Sequence, residues 1–232
     1  MRRYGIISAM PVELETLISD CGAREKEEKG IYRLYEGEYR GHYVAMACSG
    51  VGKVNAAACT QRFIDTQDID CVINMGIAGA LGGGLRTLDT VIGSEVVYHD
   101  FFPVRVLEQR FPFTSVFGCD EGLAALAEKA CQRCPEVKKY LRGRIATGDC
   151  FVEDAAAKKR ILGQGSICCE MEGAAVGHVC HINGVPFLIL RSISDLADED
   201  AEMTYDEFEK KAALQSVRIV EAMMSMDSEE EK

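Results

Sequence analysis

Short apolar runs alternate along this chain with longer stretches in which apolar residues recur at three- and four-residue spacing. That alternation is expected of interleaved strands and helices. Tyr4 to Ser8 is the first apolar run, and Pro11 opens a helix with Leu14, Leu17 and Ile18 on one face. Ile31–Tyr39 and His42–Cys48 read as strands joined by a hairpin turn at Arg40-Gly41. Ser49-Gly50-Val51-Gly52-Lys53 leads into an alanine-rich helix that runs to about Asp65. Cys71-Val72-Ile73-Asn74-Met75 reads as one apolar run, as in a buried strand, and Gly76-Ile77-Ala78-Gly79 follows as its terminal loop. Further strands are expected over Asp89–Tyr98, Ile167–Cys169 and Val185–Leu190. Helices are expected over Glu121–Cys131, Asp154–Leu162, Gly173–Ile182 and Tyr205–Met226, the last with Phe208, Ala212, Val217 and Val220 inward. The pattern predicts a single-domain α/β fold, three-layer αβα around a central mixed β-sheet. Residues 1–226 form the domain and 227–232 a charged, frayed tail.

Phe101 to Phe117 breaks the pattern. It holds five of the nine phenylalanines without helical or alternating period. Two readings stay open: a loop packed on its own core, or an aromatic surface covered by a second subunit or a ligand.

Composition narrows the setting. The 232 residues suit one domain, and 47% hydrophobic with 27% charged residues is ordinary for a globular protein. No apolar run is long enough to span a bilayer, and Tyr4 to Ala9 is too short for a signal sequence. A net charge of −11 argues against a nucleic-acid partner. Eleven cysteines read as reduced, mostly buried residues of a cytoplasmic protein. Gly50-Val51-Gly52-Lys53 lacks the outer residues of a phosphate-binding loop, since Ala47 and Val54 occupy those places. Cys131 and Cys134 have no second pair, and His178 and His181 lack a metalloprotease glutamate, so no metal is assigned.

The carboxylates carry more weight. Glu170, Met171 and Glu172 stand where a strand gives way to Gly173-Ala174-Ala175-Val176-Gly177, a helix almost without polar surface. One acid there is explained by the helix dipole; two flanking a methionine are not. Arg191-Ser192-Ile193-Ser194-Asp195 puts a base and an acid at the end of another apolar strand, where ligands of open α/β sheets collect. Asp198, Glu199 and Asp200 offer a plainer reading of Asp195 as part of a solvated acidic loop, as the helix dipole does for Glu13.

Six segments, taken together, resemble the 5′-methylthioadenosine/S-adenosylhomocysteine nucleosidases of the nucleoside phosphorylase superfamily. They are Ser49 to Val54, Asn74 to Gly79, Tyr98-His99-Asp100, Gly148-Asp149-Cys150-Phe151, Glu170-Met171-Glu172 and Ser194-Asp195, between Tyr4–Met10 and Tyr205–Phe208. The resemblance implies hydrolysis of the bond between adenine and a 5′-thio-substituted ribose, without cofactor, by a homodimer. It implies that Asp195, oriented by Ser194, protonates the purine at N7, and that Glu13 and Arg191 hold the attacking water. Phe151 stacks on adenine, the backbone of Val152 reads its edge, Glu172 grips the ribose hydroxyls and Met171 lies against the sugar. Ala78 and Gly79 line the site by backbone, and Val51, Ile77, Glu170 and Tyr205 complete it. The segment holding Arg105 and Arg110 is expected near the 5′ substituent, where a polar or anionic group would then be accepted. The alternatives are a purine nucleoside phosphorylase, an aminofutalosine-type nucleosidase and a non-catalytic nucleoside sensor. The first needs arginines to clamp phosphate, and the stretch Ser8 to Glu13 has none.

Overall fold

The computed structural model describes residues 1–26, 32–82, 84–194 and 205–230. Its strands are β1 (Arg3–Ser8), β2 (Arg24–Lys26), β3 (Leu34–Tyr39), β4 (His42–Cys48), β5 (Cys71–Ala80), β6 (Thr90–Tyr98), β7 (Val116–Gly118), β8 (Tyr140–Thr147), β9 (Ser166–Glu170) and β10 (Phe187–Ile193). Its helices are α1 (Glu15–Asp20), α2 (Lys53–Thr66), α3 (Arg105–Gln109), α4 (Glu121–Arg133), α5 (Ala155–Gly163), α6 (Gly173–Asn183) and α7 (Tyr205–Glu230).

The strands form one mixed sheet in the order β10-β6-β8-β9-β5-β1-β4-β3-β2, with β7 beside β6. Because β10 also pairs with β5, five strands close on themselves at one end. Successive residues of β10 face opposite layers, as the pleat requires. Phe187 and Ile189 pack against Gly177 and Gly173 of α6, whereas Ser192 Oγ lies 3.0 Å from Ser216 Oγ of α7. Helix α2 packs on α6, and α4 on α7. The mixed sheet between helical layers is therefore the predicted α/β architecture.

Local chemistry explains the boundaries. Asp120 and Asp154 cap α4 and α5, accepting from the backbone N–H of Leu123 at 2.9 Å and of Ala157 at 2.8 Å. Arg40 and Gly41 both take positive φ, as a two-residue hairpin turn demands. Ala212, Val217 and Val220 are buried as expected, and the side chain of Phe208 lies outside the described residues.

Several expectations need correction. The first helix is a 3-10 turn, Pro11–Glu13, followed by α1. Gly76 to Gly79 is not a loop: β5 continues to Ala80, because Gly79 and Ala80 pair with β9 while Gly76 to Ala78 pair with β10. Phe101 to Phe117 contains α3 and opens β7; Phe117 is buried against His178, whereas Phe102, Phe111 and Phe113 are exposed. Phe117 thus fits the reading of a loop packed on its own core, and the other three rings form an exposed aromatic surface. Strands β2 and β8 went unforeseen. At the other end, α7 runs through Asp227, which accepts from Tyr4 Oη at 2.8 Å, as far as Glu230. None of the eleven cysteines is joined in a disulfide, and all but Cys48 and Cys150 are buried. Among the described residues no helix is long and apolar enough to cross a membrane.

Candidate active site

The ends of β5, β9 and β10 converge with the turn after β1 and the loops before α2 and after β8 on one cavity of about 580 Å³. Its wall includes Glu13, Val51, Ile77, Ala78, Gly79, Phe151, Val152, Glu170, Met171, Glu172, Arg191 and Ser194, which the sequence had singled out. Asp195 lies outside the described residues, as do Asp198, Glu199, Asp200 and the side chain of Tyr205.

The floor is an ion pair built into the sheet. Arg191, fully buried on β10, donates from Nη2 to Glu170 Oε2 and to Asn74 Oδ1, each at 2.5 Å, and from Nη1 to the Asn74 carbonyl at 3.0 Å. Burial alone would lower the basicity of Arg191; the charges of Glu170, Glu172 and Glu13 and the hydrogen bond to Glu170 outweigh it, and the net shift is upward. Glu170 Oε2 also accepts from the backbone N–H of Glu172 at 3.0 Å and of Gly173 at 2.7 Å, while Oε1 accepts from Thr147 Oγ1. Both oxygens of Glu170 are therefore committed to protein donors.

Glu172 differs. Its Oε1 accepts from the Gly52 N–H at 2.7 Å. Burial, then the neighbouring charge of Glu170, push its carboxyl up to about 7, against the opposing pull of Gly52 N–H and Arg191. A carboxylate held this way gains from any hydroxyl donor or cation brought to it.

Glu13 hangs from the 3-10 turn and folds back on it. Its Oε2 accepts from the N–H of Ala9 at 3.0 Å and of Met10 at 2.9 Å, and its Oε1 from the Ile77 N–H at 3.3 Å. Burial raises its proton affinity more than these donors and Arg191 lower it. A side chain at Gly76 would start 2.8 Å from Glu13 Oε1 and 3.7 Å from Arg191 Nη1, so only glycine leaves room for the Glu13 carboxylate there.

At the rim, Phe151 is 74% exposed and stands beside Val152, Cys150 and Lys158. Ser194 donates its backbone N–H to the Ala78 carbonyl at 3.1 Å, tying the end of β10 to β5.

Asn74 and Thr147 were missed as contributors to the site. Asn74 had a signal: it is the polar residue inside an otherwise apolar strand, and such a group must find partners when buried. Thr147 had none, because β8 itself was not foreseen. His178, considered for zinc, instead lies 3.2 Å from Tyr98 Oη and stacks on Phe117.

Residues 3–225 match the model of the phosphorylase superfamily. The 5′-methylthioadenosine/S-adenosylhomocysteine nucleosidase of Exiguobacterium sp. is 36% identical over 229 residues, 95% of this chain and 97% of that protein. The nucleosidase of the same name from Actinobacillus succinogenes is 36% identical over 96% of this chain and 98% of its own. Among solved structures, the Neisseria meningitidis nucleosidase in complex with methylthio-immucillin-A superposes with a TM-score of 0.88 at 34% identity, covering 97% of this chain and 100% of that chain. The Colwellia psychrerythraea nucleosidase in complex with adenine gives 0.87 at 32% identity, covering 96% of this chain and 94% of the other.

Proposed function

The chain belongs to the 5′-methylthioadenosine/S-adenosylhomocysteine nucleosidase family of the phosphorylase superfamily, and on that premise we propose how it hydrolyses the N-glycosidic bond of 5′-thio-substituted adenosines to release adenine. Methylthioadenosine and S-adenosylhomocysteine are its substrates, with 5′-deoxyadenosine a third. The observation that carries the reading is the charge balance of the cavity. Four acids, Glu13, Glu153, Glu170 and Glu172, line it with two cations, Lys158 at the rim and Arg191, whose guanidinium is already paired with Glu170. Such a wall favours a sugar that becomes cationic and disfavours a phosphate nucleophile, which would need an uncommitted cationic clamp. Hydrolysis is therefore preferred to phosphorolysis.

The reaction breaks the bond between C1′ and the purine nitrogen, leaving its electron pair on the base. Asp195, next in sequence to cavity-lining Ser194, donates a proton to N7 and so neutralises the leaving group. Glu172 accepts the ribose hydroxyls, and its charge offsets that developing on the sugar. Water held by Glu13 and Arg191 forms the new bond at C1′ and gives its proton to Glu13. Burial makes Glu13 a better base than an ordinary carboxylate. Phe151 stacks on the adenine, the backbone of Val152 reads its edge, and Met171 lies along the sugar.

The test is adenine release from methylthioadenosine by the wild type and by Asp195→Asn. The wild type should turn over; the variant should bind nucleoside yet lose about 10²- to 10⁴-fold in kcat. A silent wild type would refute the activity, and a near-normal variant would refute the role of Asp195.

The homodimer is supported by the exposed rings of Phe111 (67%) and Phe113 (69%) with Phe102, an apolar surface of the kind that protein partners cover. Sedimentation of a monomer at micromolar concentration would contradict it. A cytoplasmic location is supported by eleven cysteines outside any disulfide, which suit a reducing compartment; export of the protein in fractionated cells would contradict it.

A further inference from the structure

The geometry points to Lys53 as a positioning residue that, through Asp100 and Asp149, locks the base-stacking loop and the ribose carboxylate into one rigid unit. This rests on the nucleosidase reading above.

Three pieces of chain meet at Lys53. Its Nζ donates to both oxygens of Asp100, at 2.7 Å each, just beyond β6, and lies 3.5 Å from Asp149 Oδ2, just beyond β8. Asp100 Oδ2 accepts from the Asp149 N–H at 2.8 Å, and Asp149 Oδ1 accepts from the Lys53 N–H at 2.9 Å. Lys53 also lies over the Tyr98 ring, 5.5 Å from its centroid. The cluster thus closes on itself through side chains and backbone. What it holds is telling. One residue before Lys53, Gly52 donates to Glu172; two residues after Asp149, Phe151 stands at the cavity rim.

Gly52 takes a φ of +95°, and a side chain there would start 3.3 Å from Asp149 Oδ1. Asp149 therefore sits against the peptide that presents its N–H to Glu172. Beneath, a side chain at Gly148 would collide with the buried His99 ring, so the loop lies flat on that histidine. A partly exposed ion pair such as this contributes modestly to stability. Its effect here is on placement, and a displacement of about 1 Å at a site can cost about a hundredfold in rate.

Glu170, Arg191 and Glu13 are the other charges acting on Glu172, and the bonds of the Lys53 side chain run to Asp100 and Asp149 instead. If the cluster is loosened, Glu172 loses the Gly52 N–H while those charges stay. Its proton is then held more tightly, and the acid limb of the kcat/KM–pH profile moves to higher pH.

The experiment compares wild type, Lys53→Met, Lys53→Arg, Asp100→Asn and the Lys53→Met/Asp100→Asn double variant, full length, on methylthioadenosine. Lys53→Met should lose about 10- to 100-fold in kcat/KM, shift its acid limb upward and bind free adenine more weakly. Its melting temperature should stay within about 4 °C of wild type. Lys53→Arg should recover most of the loss. The double variant should be no worse than the worse single, since both break one unit. Additive losses, an unmoved acid limb, or a loss explained by a collapsed melting temperature would each overturn the inference. A wild type that releases no adenine would instead refute the activity itself.

Discussion

The floor and the rim of the cavity are built on opposite terms. The floor is strand: Arg191, Glu170, Asn74 and Thr147 come from β10, β9, β5 and β8, are buried, and donate to or accept from one another. The rim is loop: Val51 and Phe151 are exposed, and Glu172 between the two regions keeps a carboxylate that burial penalises. Glu170 and Glu172 stand two residues apart, yet one is neutralised by its surroundings and the other is not. The contrast teaches that carboxylates in one motif divide the work: one fixes the frame, the other lines the cavity with a single backbone donor on its carboxylate.

The sharpest way to break this division is at the floor. Arg191→Met would strand Glu170 as a buried charge, so unfolding stability in urea should fall by about 3–5 kcal/mol along with turnover. A loss confined to activity would mean that Arg191 does not hold the frame.

Glu172→Gln should act in the opposite sense on stability. Glu172 has a folded-state value raised from 4.5 to about 7, so its ionisation opposes folding. That cost is absent below about pH 4.5, grows as pH rises, and is complete above about pH 7, at up to ~3 kcal/mol. The variant should therefore be more stable than wild type at pH 8, equal to it at pH 4, and severely impaired in turnover. Equal melting curves at pH 8 would contradict the strain assigned to Glu172. In wild type, kcat/KM should fall as pH drops below about 7, because the protonated carboxyl accepts ribose hydroxyls less well.

The smallest effect belongs to the rim. Phe151→Ala should weaken adenine binding by about 1–2 kcal/mol, the worth of one base–aromatic stack, with stability changed by less than about 0.5 kcal/mol. Calorimetry with free adenine and a melting curve check both; unchanged affinity would remove Phe151 from base recognition.

Much of the frame was legible because its signals are local. The alanine-rich α2 and the apolar opening of α6, Gly173 to Gly177, announce helices, and Arg40-Gly41 announces its hairpin. Strand β8 was not, since Arg142 and Arg144 interrupt its apolar run. Those arginines pair with Glu121 and Glu95, partners that only the tertiary fold supplies. Gly76 to Gly79 read as a loop because glycine usually ends strands; here two neighbours pair with the segment and Glu13 needs the space. The difference between Glu170 and Glu172 was invisible for the same reason. It depends on Thr147 and Arg191 for Glu170 and on Gly52 for Glu172, each far along the chain from the acid it donates to.

The most direct test of a hydrolytic, anionic cavity is the identity of the sugar product. Methylthioadenosine would be turned over in ¹⁸O-labelled water containing millimolar phosphate, and the products read by mass spectrometry. Free methylthioribose carrying the label at C1, formed at a rate indifferent to phosphate, is the expected outcome. A sugar 1-phosphate, or adenine release that ceases when phosphate is withheld, would contradict it.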